Sequence, residues 1–141
     1  MPMPMEYQRA GEDFERFLTL ARENSGLSTR NQTYTMIQAV LQTFRRRLDF
    51  KQAIAFAAVL PPVVRAIFVA DWNLDEPVLA FGDRKSLTRD VQALRQDHNF
   101  APDSAIADVA AALWQMVDTK ALRACLDALP TDAARYWAEE S

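Results

Sequence analysis

Residues 37–72 read IQAVLQTFRRRLDFKQAIAFAAVLPPVVRAIFVADW, and this stretch decides the fold because its landmarks return later in the chain. Four of those landmarks recur after 69 residues: Ile37 as Ile106, Asp49 as Asp118, Leu60-Pro61 as Leu129-Pro130, and Phe68 as Trp137. Self-similarity at a fixed offset is typical of a duplicated architecture. The sequence therefore predicts two related halves.

Local signals for helix ends divide the first half into four helices. Apolar residues recur at helical spacing from Phe14 onward, which predicts amphipathic helices. The signals that separate these helices are a C-cap glycine, two capping boxes and a proline pair: Gly26, Thr29 with Gln32, Asp49 with Gln52, and Pro61-Pro62. Pro61 ends the third helix, and Pro62 suits the first position of the fourth.

The second half predicts the same succession, with one change in length. At its start the matching residues are 73 apart, as in Phe14 with Leu87 and Leu18 with Val91. The offset then becomes 69. Four residues are close to one helical turn of about 3.6 residues. We therefore expect the second helix of this half to be one turn shorter, with its apolar stripe still in phase.

These patterns predict an all-α fold of about eight helices, arranged as two tandem four-helix repeats packed about a pseudo-two-fold axis. Residues 1–12 are predicted to be a flexible N-terminal tail, because alternating Met and Pro disfavour a regular helix. Residues 13–141 are predicted to form one helical domain, with repeat one at 13–70, a connector at 71–83 and repeat two at 84–141. A repeat of about 60 residues is marginal alone, so we expect a shared core.

Composition limits the classes of function. The chain has 141 residues, a net charge of -3 and a single cysteine. An acidic balance disfavours nucleic-acid binding, which needs a basic surface. One cysteine forms no internal disulfide, which favours a reducing, cytoplasmic location. The N-terminal residues lack the apolar region of a signal peptide, and the most apolar stretch is too broken to span a membrane, so no membrane association is expected.

Several pieces of residues 37–77 occur together in a characteristic order: Arg45-Arg46-Arg47-Leu48, Leu60-Pro61, Ile67-Phe68, Trp72 and Pro77. In this combination the chain resembles the bacterial family DUF2267, a domain of unknown function, from about Phe14 to Trp137. The resemblance implies an all-helical domain with two repeats and no particular chemistry. Two departures from the family pattern are Asp71, where glycine is common, and the less aromatic Ser86-Leu87-Thr88. They concern local loop geometry.

Two charged motifs have simple structural interpretations. Asp71, Asn73 and Asp75 have the spacing that begins an EF-hand, but the sixth and twelfth positions are Glu76 and Gly82. A calcium loop needs glycine and glutamate there, so we interpret the segment as a solvated acidic linker. Residues 45–47 are three consecutive arginines, which sweep around a helix instead of pointing one way. We interpret them as a solvated helix face.

The single cysteine and the single histidine do not predict a catalytic or metal site. Cys125 corresponds to Phe56 in the first half, so we expect a buried, inert thiol. His98 is expected to be a lone surface histidine. One residue of each type cannot assemble a zinc ligand set of Cys and His, and no cofactor is predicted.

Large aromatic residues are the remaining candidates for a site. Trp137 corresponds to Phe68 and is expected in the core. We predict a partner-binding surface formed by Trp72 with Asp71, Phe81 and Trp114, because exposed aromatic residues often anchor protein partners. Trp72 has the alternative role of covering the junction between the repeats.

Three classes of function follow, of which we favour the first. The first is a non-catalytic protein–protein interaction or scaffold module, with self-association possible. The second is a small-ligand-binding protein or an enzyme with its site at the repeat junction, although no catalytic motif is present. The third, nucleic-acid binding through Arg30 and residues 45–47, is the weakest. The connector 71–83 has no counterpart in either repeat, so it is the first place to look for a distinctive site.

Overall fold

A computed structural model describes residues 1–138 of the chain. Within these residues the regular elements are all helical. They comprise nine α-helices and one 3-10 turn: α1 Met5–Gln8, α2 Ala10–Ser25, α3 Arg30–Arg45, α4 Phe50–Ala57, α5 Pro62–Val69, α6 Arg84–Ala93, the turn Gln96–His98, α7 Ala105–Met116, α8 Thr119–Asp127 and α9 Thr131–Tyr136. The all-α prediction is confirmed. None of the helices in residues 1–138 has the length and apolar character needed to cross a membrane.

The predicted helix ends are confirmed where local chemistry sets them. Gly26 has φ 76° and ends α2 in the left-handed conformation. Thr29 with Gln32, and Asp49 with Gln52, form reciprocal capping boxes at the starts of α3 and α4. Helix α7 has 12 residues and α3 has 16, so the difference is the single turn that the sequence predicts.

The N-terminal residues differ from the loose tail that the sequence predicts for residues 1–12. A short helix, α1, lies within them, and α2 already begins at Ala10. Every residue of α1 is exposed. Glu6 of α1 lies 3.8 Å from the guanidinium of Arg65 on α5, so this segment follows the surface of the helical body.

Helix α3 is the centre of the molecule. Almost all of its residues from Thr33 to Arg45 are buried, including polar ones on every side of the helix. It packs against α2, α5, α6 and α7. A helix that is surrounded by others loses solvent on all its faces, so burial along α3 follows from its central position more than from an apolar stripe.

An aromatic cluster fills the core beside the end of α3. Phe44 is its centre, with ring centroids 4.7 Å from Phe56, 5.0 Å from Tyr136, 5.5 Å from Trp137 and 6.0 Å from Phe81. Phe56 comes from α4, and Tyr136 lies at the end of α9. The cluster therefore joins elements from both halves of the chain in one core.

Two buried polar contacts also tie the later half to α3. The hydroxyl of Tyr136 donates to the carbonyl oxygen of Val40 at 2.6 Å. The guanidinium of Arg47 donates to the carboxylate of Asp90 on α6 and, at 2.9 Å, to the carbonyl oxygen of Thr43. These bonds satisfy polar groups that would otherwise be costly to bury.

The buried hydroxyl of Tyr136 makes stability depend on pH. Burial raises the pKa of Tyr136 above its ordinary value of 10.0, although Arg47 and Arg84 oppose the shift. Above about pH 10 the unfolded chain releases the phenolic proton and the folded chain retains it, so stability falls as pH rises. We expect the free energy of unfolding to fall about 1.4 kcal/mol per pH unit more steeply in the wild type than in Tyr136→Phe.

Urea denaturation between about pH 8 and 11 measures this difference. At neutral pH, Tyr136→Phe should be the less stable protein by about 1–2 kcal/mol, because the Val40 carbonyl loses its donor. Parallel curves for the two proteins above pH 10 would contradict the assignment.

Candidate functional site

The main cavity beside the connector lies between the end of α3, the start of α4 and residues 71–83. It has a volume of about 310 Å³, and we call it the connector pocket. Its apolar lining includes Leu48, Phe50, Trp72, Val78 and Leu94. Its polar lining includes Gln42, Arg45, Asp49, Asp71 and Glu76. The pocket is therefore a mixed site with aromatic walls.

Contacts with the end of α3 hold the connector in place. The amide nitrogen of Leu79 donates to the carbonyl oxygen of Arg46 at 3.0 Å. Nε of Arg46 lies 2.6 Å from Oε1 of Glu76, and both side chains are about one-third exposed. A helix leaves its last carbonyl groups without intrahelical donors, so the connector supplies one of the missing partners.

Trp72 forms one wall of the pocket and is partly buried. Its ring packs edge-to-face against Phe50, with centroids 5.4 Å apart. The guanidinium carbon of Arg45 lies 4.9 Å from the Trp72 ring centroid, which is cation–π distance. Trp72 thus links the connector to both α3 and α4.

Arg45 is buried, with 4% of its surface exposed. Its Nη1 donates to the carbonyl oxygens of Phe68 and Ala70, each at 2.8 Å. Nε2 of Gln42 donates to the carbonyl oxygens of Ile67 and Ala70, each at 3.1 Å. The two side chains therefore cap the C-terminal end of α5, where carbonyl groups lack helical partners and a positive charge is favoured.

Two acidic residues of the connector lie near enough to Arg45 to favour its charged form. Burial lowers the pKa of Arg45, whereas the nearby Glu76 and Asp71 carboxylates raise it. Nε of Arg45 has no hydrogen-bond partner among the described residues. An arginine stays charged in proteins, so a fixed cation lies in the wall of the pocket.

The prediction that residues 45–47 form a solvated helix face is wrong. Arg45 and Arg47 are buried, with 4% and 7% of their surfaces exposed, and Arg46 is half-buried. Each has a specific partner: the end of α5 for Arg45, Glu76 for Arg46 and Asp90 for Arg47. Such partners offset the cost of removing a guanidinium from water.

The four predicted partner-binding residues separate into two groups. Asp71 and Trp72 lie together in the connector pocket. Phe81 is buried in the core against Phe44. Trp114 is also buried, and its indole nitrogen donates to the carbonyl oxygen of Trp137 at 2.6 Å. Sequence reasoning missed Phe50 and Arg45, although Phe50 directly follows the N-cap Asp49 and so had to lie at a helix start.

Asp71 adopts an unusual backbone conformation at the edge of the pocket. Its φ is 55°, in the left-handed region that favours glycine. Glycine would adopt this conformation without strain. Aspartate adopts this conformation more often than most residues other than glycine.

We expect Asp71→Gly to raise the free energy of unfolding by about 0.5–1 kcal/mol, because glycine adopts positive φ without strain. Asp71→Val should lower it by about 1–2 kcal/mol, because a β-branched side chain is poorly accommodated there. Thermal unfolding followed by circular dichroism measures both. A valine variant as stable as the glycine variant would show that the left-handed conformation is absent in solution.

The remaining reactive side chains lie outside the connector pocket. Cys125 is half-buried, and desolvation raises the pKa of its thiol, which disfavours the nucleophilic thiolate. His98 is exposed, as predicted. Residues 1–138 contain no group of three or more His, Cys, Asp or Glu arranged to hold a metal ion. The connector pocket itself offers apolar walls beside the carboxylates of Asp49, Asp71 and Glu76.

Comparison with known proteins gives a family and no named activity. No curated protein matches the chain. A family model described as "Uncharacterized conserved protein (DUF2267)" matches residues 14–136, which is most of the chain. The resemblance in the arginine, Leu-Pro and tryptophan motifs is therefore confirmed over nearly the predicted span. The chain belongs to the DUF2267 family of uncharacterized conserved proteins.

Proposed function

We propose that the chain is a non-catalytic interaction module that binds a partner protein at the connector pocket. The observation that carries this proposal is the exposed apolar surface around the pocket mouth. Phe50 and Val78 line the pocket and are 55% and 56% exposed. Ile54, one turn after Phe50 on α4, and Leu74, two residues after Trp72, are also largely exposed. Apolar and aromatic groups around a concave centre are typical of protein-binding sites.

We also propose that the helices form two tandem repeats, α2–α5 and α6–α9. Corresponding hydrogen bonds support this. Nη1 of Arg45 donates to the carbonyl oxygen of Phe68, and 69 residues later the indole nitrogen of Trp114 donates to that of Trp137. Asp49 and Asp118 cap α4 and α8 in corresponding ways. In this arrangement Trp114 is the counterpart of Arg45, which accounts for its structural role.

A second candidate function is the binding of a small ligand at the same pocket. Its volume of about 310 Å³ favours this candidate, because small-molecule sites begin at about 300 Å³. Leu94, the residue after α6, also lines the pocket. The pocket therefore has walls from both halves of the chain, which favours a site at their junction. An enzyme at this position would have to use Asp49, Asp71 or Glu76 as its acid or base.

Photo-crosslinking in the native cells tests the interaction module. Phe50→p-benzoylphenylalanine places a reactive group at the pocket mouth. Phe100→p-benzoylphenylalanine is the matched control, because Phe100 is 60% exposed and does not line the pocket. We expect a discrete protein adduct from position 50 only, identified by mass spectrometry, and its loss when Trp72→Ala is added.

The mass of the adduct separates the possible partners. An adduct of twice the chain mass identifies a second copy, and a different mass identifies another protein. Folding of the Trp72→Ala variant is checked by circular dichroism before its adducts are compared. Equal adducts from positions 50 and 100, or none from position 50 in a folded protein, would contradict the proposal.

A further inference from the structure

The charges around the connector pocket are unequal. The lining contains the carboxylates of Asp49, Asp71 and Glu76 and the guanidinium groups of Arg45 and Arg46, which leaves a net charge of -1. Glu76 and Arg46 pair with each other. Over residues 1–138, Asp71 makes neither a hydrogen bond nor an ion pair with its side chain, although it is close enough to Arg45 to raise that residue's pKa. The carboxylate of Asp71 is therefore available to a charged group of a binding partner.

The connector extends this acidic surface beyond the pocket. Residues 71–83 read DWNLDEPVLAFGD, with four acidic residues and no lysine or arginine. Asp75 lies three residues from Trp72 and is exposed, and its backbone nitrogen donates to Oδ1 of Asn73 at 3.1 Å. A binding segment with acidic residues would meet unfavourable charge here, whereas a basic segment would be attracted.

The interior of the pocket favours an uncharged group. Trp72, Phe50, Val78 and Leu94 supply apolar surface for one aliphatic or aromatic side chain. Arg45 lies beneath this surface against the Trp72 ring, and its Nε is shielded from solvent. A carboxylate entering the pocket would meet the negative charges of Asp71 and Glu76, so an uncharged side chain is favoured there.

We propose that the occupant is a basic amphipathic segment of a partner protein. One apolar side chain of the segment fills the space between Trp72 and Val78. Lysine or arginine residues beside that anchor pair with Asp71 and Asp75. This inference rests on the proposed function, since it specifies the chemistry of the partner that binds at the same pocket.

Two synthetic peptides of about twelve residues test the charge preference. Both carry the same central Leu-Phe pair, flanked by lysines in one peptide and by glutamates in the other. Each is titrated into the full ¹⁵N-labelled chain, and the indole N–H signals of Trp72, Trp114 and Trp137 are followed by NMR. We expect the lysine peptide to shift the Trp72 signal and to bind about tenfold more tightly at low salt.

Salt and two matched variants identify the source of the preference. Raising the salt from about 20 mM to about 500 mM should reduce the difference between the peptides to about threefold or less, because exposed charges are screened. Asp71→Asn removes the charge and retains a residue that tolerates positive φ, so it should weaken the lysine peptide about threefold or more. Asp97→Asn, at an exposed aspartate outside the pocket, should leave both affinities unchanged.

The outcomes separate this inference from the proposed function. Equal binding of both peptides, abolished by Trp72→Ala, overturns the basic partner and leaves an apolar docking pocket. Failure of both peptides to shift the Trp72 signal, with a position-50 adduct present in cells, also overturns the basic partner and leaves the interaction module intact. Binding of the lysine peptide without any cellular adduct counts against the interaction module and supports the charge preference.

Discussion

Replacing Phe44 with alanine is expected to lower the free energy of unfolding by about 3–5 kcal/mol. Phe44 is fully buried, and its ring contacts Phe56, Phe81, Tyr136 and Trp137. Removing the ring therefore leaves a cavity at the point where α3, α4, α9 and the connector meet. The loss is a large part of the total stability of a small domain, which is about 5–15 kcal/mol.

Chemical denaturation followed by circular dichroism measures this loss, and two further variants calibrate it. Phe100→Ala is the matched control: Phe100 is largely exposed, so its loss should change stability by less than about 0.5 kcal/mol. Phe44→Leu leaves a smaller cavity and remains measurable if the alanine variant does not fold. A change below about 1 kcal/mol for Phe44→Ala would show that the aromatic cluster is not the core of this protein.

Arg45→Ala is expected to lower the free energy of unfolding by about 2–4 kcal/mol. Within residues 1–138, the substitution removes the only side-chain donor to the Phe68 carbonyl and one of the two to the Ala70 carbonyl. It also removes the group that packs against the Trp72 ring. A buried carbonyl group left unpaired at the end of α5 carries a full desolvation penalty, so the effect should be large.

Arg46→Ala is the matched control, because the two arginines are adjacent and differ mainly in burial. Arg46 pairs with Glu76 at a partly exposed site, so its loss should cost about 1 kcal/mol or less. Arg45→Lys should recover only part of the stability, since an ammonium group cannot reproduce the planar donors of a guanidinium. If Arg45→Ala and Arg46→Ala lower the free energy of unfolding equally, the contacts of Arg45 with the end of α5 stabilise the protein no more than a partly exposed ion pair does.

The features predicted correctly from the sequence are those set by short-range chemistry. The capping boxes at Thr29 and Asp49 join residues three apart, and Gly26 ends α2 through its own backbone conformation. Such interactions form within one turn of helix, so the residue types and their spacing contain the necessary information. The sequence does not predict α1, because the alternating Met and Pro before it give no periodic signal of a helix.

The features predicted incorrectly depend on residues distant in the chain. Arg45 is buried because the end of α5, 23 residues later, needs donors for its carbonyl groups. The sequence predicts that Phe81 and Trp114 share a surface with Trp72, but Phe81 packs on Phe44 and Trp114 donates a hydrogen bond to Trp137. An aromatic or arginine side chain suits either a core or a surface, and its own neighbours in sequence do not decide which.

The candidate site was partly predictable. The sequence points to the connector 71–83 because this segment has no counterpart in either half, and Asp71 and Trp72 do line the pocket. The opposite wall, with Phe50 and Leu94, comes from α4 and from the residue after α6. A cavity is the space left between packed elements, so its other walls follow from packing that no local pattern encodes.

The sequence by itself determined that this chain is helical, where most of its helices begin and end, and that its family is DUF2267. Periodicity, caps and prolines act over a few residues, and motif order survives without coordinates. Only the tertiary structure decided which arginines and aromatic residues are buried and that the connector folds over the end of α3 to enclose a pocket. The physical reason is that solvent exclusion depends on every element that approaches a side chain, whichever part of the chain supplies it.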